Sequence, residues 1–208
     1  MPHALLGGHV GRLSKLTTMR DAMAVAGRWR VSIGQRDPWR LWKLALAVLL
    51  TSYVTVSCAL FVFPAGTTLQ RVNAVVTLDG PDEAARRQVA VSLVERHIAN
   101  TLVFSQGAYH SAPCPRVPTV DVICFTPTPA RTVGEVEFAT RLARLRHWTS
   151  LLVVTGHEQA TRVRLLMRRC YRGRLLVDPA PLRLSSLAFQ VIYETGALIK
   201  ALVWDRTC

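Results

Sequence analysis

The chain has 208 residues, enough for one domain and an appendage, and half of them are apolar against 19% charged. A mean hydropathy of +0.23 excludes a disordered chain and is high for a soluble globular one, so part of the excess must be concentrated. The 26 Lys and Arg outnumber 13 Asp and Glu for a net +13; this keeps nucleic acid, anionic lipid and phosphorylated envelope polymers open as partners, while five scattered cysteines exclude a small disulfide scaffold.

Residues 1–40 read as a basic tail, with some helix around 13–26. Leu44 to Phe63 follow as 20 residues without a charge, with Trp39 and Trp42 at the near end. That length spans a hydrocarbon core of ~30 Å as a helix, and tryptophans favour the interface. The alternative is a buried core helix, but a soluble helix of this length ordinarily keeps a polar face. Arg28, Arg30, Arg36, Arg40 and Lys43 precede the run, whereas only Arg71 lies in the twenty residues after it. The positive-inside rule then predicts a cytoplasmic N-terminus and an extracytoplasmic domain at 64–208. About forty residues precede the apolar run and no Ala-x-Ala follows it, so 41–63 reads as an uncleaved, single-pass signal anchor in the plasma membrane.

Beyond the anchor, strand and helix patterns alternate. Val72–Leu78 is a valine-rich apolar run, followed by a helix over 82–98. Thr101–Ser105 and Asp121–Phe125 read as strands around a Pro-containing loop, and 133–147 as a helix with Phe138, Leu142 and Leu145 on one face. Ser150–Thr155, a helix over 158–172, a short strand Leu175–Val177 and a helix over 184–203 complete the order. Continuous apolar strands separated by helices predict an α/β domain in three layers, with a mainly parallel five-stranded sheet. Cys114 and Cys124 flank the Pro-containing loop; in an oxidising compartment they are expected to pair, as are Cys170 and Cys208, although four cysteines allow three pairings.

Ligands of such sheets bind at the carboxyl ends of the strands, which directs attention to one rim. There the chain offers Asp79 and Gly80, then Ser105, Gln106 and Gly107, then Thr132 and Glu135, and finally Thr155, Gly156, His157, Gln159 and Arg162. Thr132-x-x-Glu135 fits a capping box, and a helix start at that rim also suits an anion. Asp79 reads as a turn residue or as a contact to a hydroxyl, a metal or a proton. Glu135 and His157 are the other acid–base candidates, against the plainer readings of a cap and an exposed loop histidine. No G-x-G-x-x-G, H-E-x-x-H or C-x-x-C is present, so neither a dinucleotide fingerprint nor a structural zinc site is predicted. Tyr193-Glu194 sits amid apolar residues, and a structural ion pair of Glu194 with a core arginine is expected.

The order and spacing of these pieces resemble the YdcF/SanA/ElyC-like family of bacterial envelope proteins over residues 72–178. The resemblance rests on a first strand ending near Gly80, on Ser105-Gln106-Gly107, on Thr132 opening a helix, and on Val153-Val154-Thr155-Gly156 with Arg162 seven residues after Thr155. Gly156 stands where that family has serine, Gln159 where it has histidine, and Thr132-Val133-Gly134-Glu135 where it often has Thr-x-Glu-Asn. The resemblance implies a Rossmann-like domain on one membrane helix, concerned with envelope integrity or biogenesis and with lipid-carrier homeostasis. It admits S-adenosylmethionine or a divalent cation as a cofactor.

Two functions follow. One is binding, with or without catalysis, of a small anionic or phosphorylated ligand: Gly80, Ser105, Gln106, Gly107, Thr132, Thr155, Gly156, Gln159 and Arg162 would bind, and Asp79, Glu135 and His157 would handle protons. The other is a non-catalytic scaffold in a membrane complex. Its surface would be the arginine-rich stretch, which has nine arginines and one acid between residues 141 and 174, including Arg164, Arg168 and Arg172 at helical spacing. Anionic lipid, envelope polymer, lipid-linked phosphate and other membrane proteins are the expected partners. Nucleic acid is not, because the domain faces outward and no aromatic stacking platform accompanies the arginines.

Overall fold

The computed structural model describes residues 38–108, 113–182 and 184–206. The tail 1–37 and the predicted partner Cys208 of Cys170 lie outside the described residues. The chain divides into two units at Val48–Leu49. The described part of the first, Pro38–Val48, is all helix, and its large side chains (Trp39, Trp42, Leu44 and Leu46 among them) are exposed.

Helix α1, Pro38–Ser57, runs into a single π turn at Cys58–Val62. Trp39–Val62 is long and apolar enough to cross a membrane. Within the second unit, the end of this segment is fastened to the domain rather than joined by a loose linker. Phe61 and Ser57 are buried. The carbonyl of Leu60 accepts from the Thr161 hydroxyl, that of Val62 from His157 Nε2 (2.9 Å), and that of Ala65 from the Arg164 guanidinium. Carbonyls at the end of a helix lack intrahelical donors; Thr161 and His157 supply them at Leu60 and Val62, and Arg164 holds the chain just beyond, at Ala65.

The domain is α/β. Its elements are β1 (Ala74–Thr77), α2 (Glu83–Glu95), β2 (Thr101–Ser105), β3 (Asp121–Phe125), α3 (Thr132–Leu145), β4 (Ser150–Thr155), α4 (Ala160–Cys170), β5 (Arg174–Pro179) and, after a 3₁₀ turn at Leu184–Ser186, α5 (Leu187–Val203). All neighbouring strands are parallel, in the order β3-β2-β1-β4-β5. β1 and β4 are buried at every position, which is why their sequences read as unbroken apolar runs rather than alternating ones. β1 is shorter than its apolar run and β5 longer, because β5 keeps register with β4 as far as Thr155↔Pro179.

Successive strand residues point to opposite faces, and each face has its own core. Val76, Val103, Leu151 and Val153 pack with Val136 and Ala139 of α3, Val163 and Met167 of α4 and Ala201 of α5. On the other face, Val75, Leu102, Leu152 and Val154 pack with Ala90, Leu93 and Val94 of α2. The crossover 106–120 has no helix among its described residues. Val117 and Val120 of that crossover lie against the α2-side core, and the Cys114–Cys124 disulfide ties it to β3. An apolar loop clamped by a disulfide thus covers the edge of the sheet where a crossover helix would otherwise sit.

α5 is held at few points. Glu194 and Ala201 are its buried residues, and Arg169 Nη1 of α4 donates to the carbonyls of Ala201 and Asp205, 2.7 Å each. Leu184–Val203 is a second segment long and apolar enough to cross a membrane.

Candidate functional site

β1 leads left to β2 and β3, while its other neighbour, β4, leads right to β5, so the strand order reverses beside β1. A crevice opens at the carboxyl ends of the strands at such a reversal, and a cavity of about 440 Å³ occupies it. The cavity gathers seven of the residues predicted for the site: Asp79, Gly80, Gly107, Thr132, Glu135, Gln159 and Arg162. Arg131, Gln190, Tyr193 and Lys200 add to its polar wall.

The first turn of α3 forms one side of the cavity. Arg131 is the N-cap and makes no side-chain cap. The predicted capping box is therefore absent: the Glu135 N–H bonds the Arg131 carbonyl, and Glu135 Oε1 accepts from the Asp79 N–H at 2.6 Å instead. The carboxylate that would have capped its own helix is drawn across to the end of β1. Burial pushes the Glu135 carboxyl above the ordinary carboxylate range. The buried Ser105 hydroxyl closes no hydrogen bond of standard geometry but lies close enough to favour the ionised form, as does the Asp79 N–H. The nearby charges of Asp79 (raising) and Arg86 (lowering) act more weakly.

Arg162 is committed within the protein. Its Nε and Nη2 reach Glu194 Oε2 and Oε1 at 2.8 and 2.9 Å, and Nη1 donates to Thr132 Oγ1 at 2.8 Å. This is the ion pair expected for Glu194, and it is bidentate. Burial alone would lower the Arg162 pKa, but the Glu194 hydrogen bonds and charge more than offset it, and the guanidinium stays firmly protonated. Thr155, fully buried, directs its hydroxyl at Gln159 Oε1 (3.2 Å) and so orients that amide at the cavity wall. The Gln106 N–H donates to the Phe125 carbonyl, tying β2 to β3. Ser105, Gln106, Thr155 and Gly156 do not line the cavity, and His157 sits at the end of the long apolar segment, on Val62. Of the three acid–base candidates, Asp79 and Glu135 meet in the cavity and His157 does not.

Arg86 was not legible as part of this region. It lies in α2, 1% exposed, and donates to the carbonyls of Leu78, Asp79 and Pro81. Burial lowers its pKa, opposed by the charges of Glu158, Glu135, Asp79 and Asp82. Gly80 takes φ +148°, and a Cβ there would meet the Arg86 guanidinium at 2.5 Å. Gly156 lies against the same guanidinium and Glu158, and Gly107 against the Asp79 carboxylate. The glycines at the rim thus make room for charged side chains beneath it. The signal in the sequence was an arginine six residues after Gly80, hidden by a helical pattern that assigns charged positions to solvent.

Among the described residues no group of three or more His, Cys, Asp or Glu is placed to hold a metal ion. A divalent cation would find three carboxylates along the cavity, Asp79, Glu135 and Asp205, of which Glu135 is held toward its neutral form and Asp205 lies 3.9 Å from the Lys200 ammonium. Hard cations take six or more oxygens and favour ionised carboxylates, so this donor set does not fit one. Comparison with family models, with curated proteins and with solved structures finds no match.

Proposed function

We propose that the protein is a single-pass membrane protein whose extracytoplasmic, Rossmann-like domain binds a small anionic or phosphorylated ligand in the rim cavity, in the service of cell-envelope biogenesis or integrity. The observation that carries this reading is the uncapped first turn of α3 opening into a 440 Å³ cavity at the strand reversal, flanked by Arg131 and Lys200. Unsatisfied N–H groups at a helix start attract an anion. The strand order 3-2-1-4-5 is the one doubly wound nucleotide-binding sheets use at such a crevice. Arg162, neutralised by Glu194, positions Thr132 rather than supplying free charge. Glu135 is a cavity carboxyl that burial holds above the ordinary carboxylate range, which favours a proton there. S-adenosylmethionine would find Asp79 for its cationic centre, and the α3 start and Arg131 for its carboxylate.

The positive flank of α1 supports a cytoplasmic N-terminus. Single passage is supported by α5 being tied to the domain through Glu194 and through Arg169. Purified full-length chain in detergent should show a raised unfolding midpoint with one of phosphate, nucleotides, S-adenosylmethionine or polyprenyl phosphates. Arg131→Ala should weaken that ligand about 10-fold or more, as expected for loss of one charge-assisted hydrogen bond. No shift with any of them would overturn the ligand reading, and a C-terminal reporter that scores cytoplasmic would overturn the topology.

A further inference from the structure

α5 presents an apolar face that nothing in the described structure covers. Phe189, Ile192, Ile199, Leu202, Val203 and Trp204 are all about half exposed or more. They recur at helical spacing, and Lys200 is the single charged residue exposed within the helix. A contiguous patch of this kind marks an interaction surface. Its position relative to the membrane segment says which. Tyr53 Oη lies 3.3 Å from Thr195 Oγ1 in the middle of α5. Tyr53 precedes Val62, the end of the span, by nine residues, or ~13 Å along a helix axis. Half of a hydrocarbon core is about 15 Å. The midpoint of α5 therefore passes the anchor at the depth of acyl chains, not above the headgroups.

We propose that α5 is seated in the leaflet on the domain's side, its apolar face against lipid chains, so that the domain is partly sunk in the bilayer instead of standing on a stalk. The proposal rests on the reading of Trp39–Val62 as the membrane span. The charges of the region are arranged for it. Glu194 has no exposed surface and spends its carboxylate on Arg162, so no ion faces lipid there. Lys200 is turned to the cavity and Asp205 and not to the lipid chains, and Trp204 and Arg206 follow α5 as interfacial residues do. Arg164 sits on Ala65, just past the end of the span, at headgroup level. α5 stays with the domain instead of crossing the bilayer by itself, because Arg162 and Arg169 of α4 bind it at Glu194 and Ala201.

Nitroxide labels on full-length protein in phospholipid nanodiscs test this. With Cys58 replaced, four single-site variants are labelled: Ile192→Cys and Ile199→Cys on α5, Leu46→Cys on the anchor and Arg141→Cys on an exposed turn of α3. The ratio of oxygen to nickel-chelate collision at residues 192 and 199 should match that at 46 and exceed that at 141 severalfold. If 46 is lipid-like while 192 and 199 behave like 141, the leaflet seating is wrong and the anchor stands. If 46 also behaves like 141, the anchor reading itself fails. Shielding of 192 and 199 from both reagents would mean a second copy or another protein covers the face, and would overturn the assignment to lipid.

Discussion

The two long apolar helices pass the same test of length and composition, yet they are held in opposite ways. α1 carries most of its large side chains outward; the π turn that ends it buries Phe61 and gives the Leu60 and Val62 carbonyls to Thr161 and His157, and Arg164 takes the Ala65 carbonyl just past the turn. α5 carries one carboxylate in its middle, and that carboxylate fixes the helix to the core through two hydrogen bonds from Arg162. The difference lies in a single residue type. An uncharged run can be passed through a bilayer without partners, whereas a helix bearing Glu194 must bring its counter-ion along. Apolarity says that a helix has a greasy side; the buried charge says to what it belongs.

The sharpest way to break the contrast is to remove the charge from one partner. Glu194→Ala leaves the Arg162 guanidinium buried and unpaired, and should cost about 3–5 kcal/mol of stability. Thermal unfolding of the full chain in detergent reads it. Replacing both, Arg162→Leu with Glu194→Leu, should recover most of that loss, since well-packed apolar substitutes for a buried pair are often neutral. Leu46→Ala in α1 should leave the unfolding midpoint unchanged. A Glu194→Ala midpoint equal to wild type would show that α5 is not held by its ion pair.

The same distinction marks what could be read from the sequence. The order of strands and helices was legible because both-face burial leaves continuous apolar runs, as at Val75–Val76 and Leu151–Val154, and because α3 and α4 keep one apolar face each. The pairing of Cys114 with Cys124 was legible from two cysteines flanking a proline-containing loop. The cavity was legible as a rim, since parallel topology sends all five carboxyl ends one way. Contacts between distant segments were not. The pull of the Asp79 N–H on Glu135 overrode a local capping box, and the burial of Arg86 reversed the usual reading of an arginine on a helix. His157, adjacent in sequence to Gly156, is taken by Val62, 95 positions away. Sequence periodicity reports which face of a helix is buried, not which long-range partner claims a polar side chain.

A second, smaller effect separates the domain from α1 by pH. Glu135 is buried with its carboxyl pKa raised above the ordinary 4.5, whereas the described part of α1 contains no acidic residue. A carboxyl whose folded value lies above its unfolded one binds more protons when folded, so its contribution is full below the unfolded value and is lost as pH rises through the folded one. Glu135→Gln keeps an acceptor for the Asp79 N–H but cannot ionise. The wild-type midpoint should decline as pH rises above 4.5, and the Gln variant should decline less. Identical slopes would remove Glu135 from the list of proton-exchanging groups. No substitution in α1 should alter the slope.

The smallest effect tests where the two helices meet. Tyr53 and Thr195 share one hydrogen bond, 3.3 Å long and exposed at the protein surface. In water such a contact would contribute little, because both hydroxyls have solvent partners. At acyl-chain depth the alternative is an unsatisfied hydroxyl, yet interhelical hydrogen bonds measured in bilayers still average about 0.6 kcal/mol, since other partners are found. Tyr53→Phe, Thr195→Val and the double variant form a cycle whose coupling should be near that value in nanodiscs and smaller in detergent. A coupling of zero in both media would place α5 away from the anchor, and with it the apolar face away from the leaflet. A coupling present in both but unchanged between them would mean that the hydroxyls meet in water. The sign of the difference between the two media therefore measures how deep the second apolar helix sits.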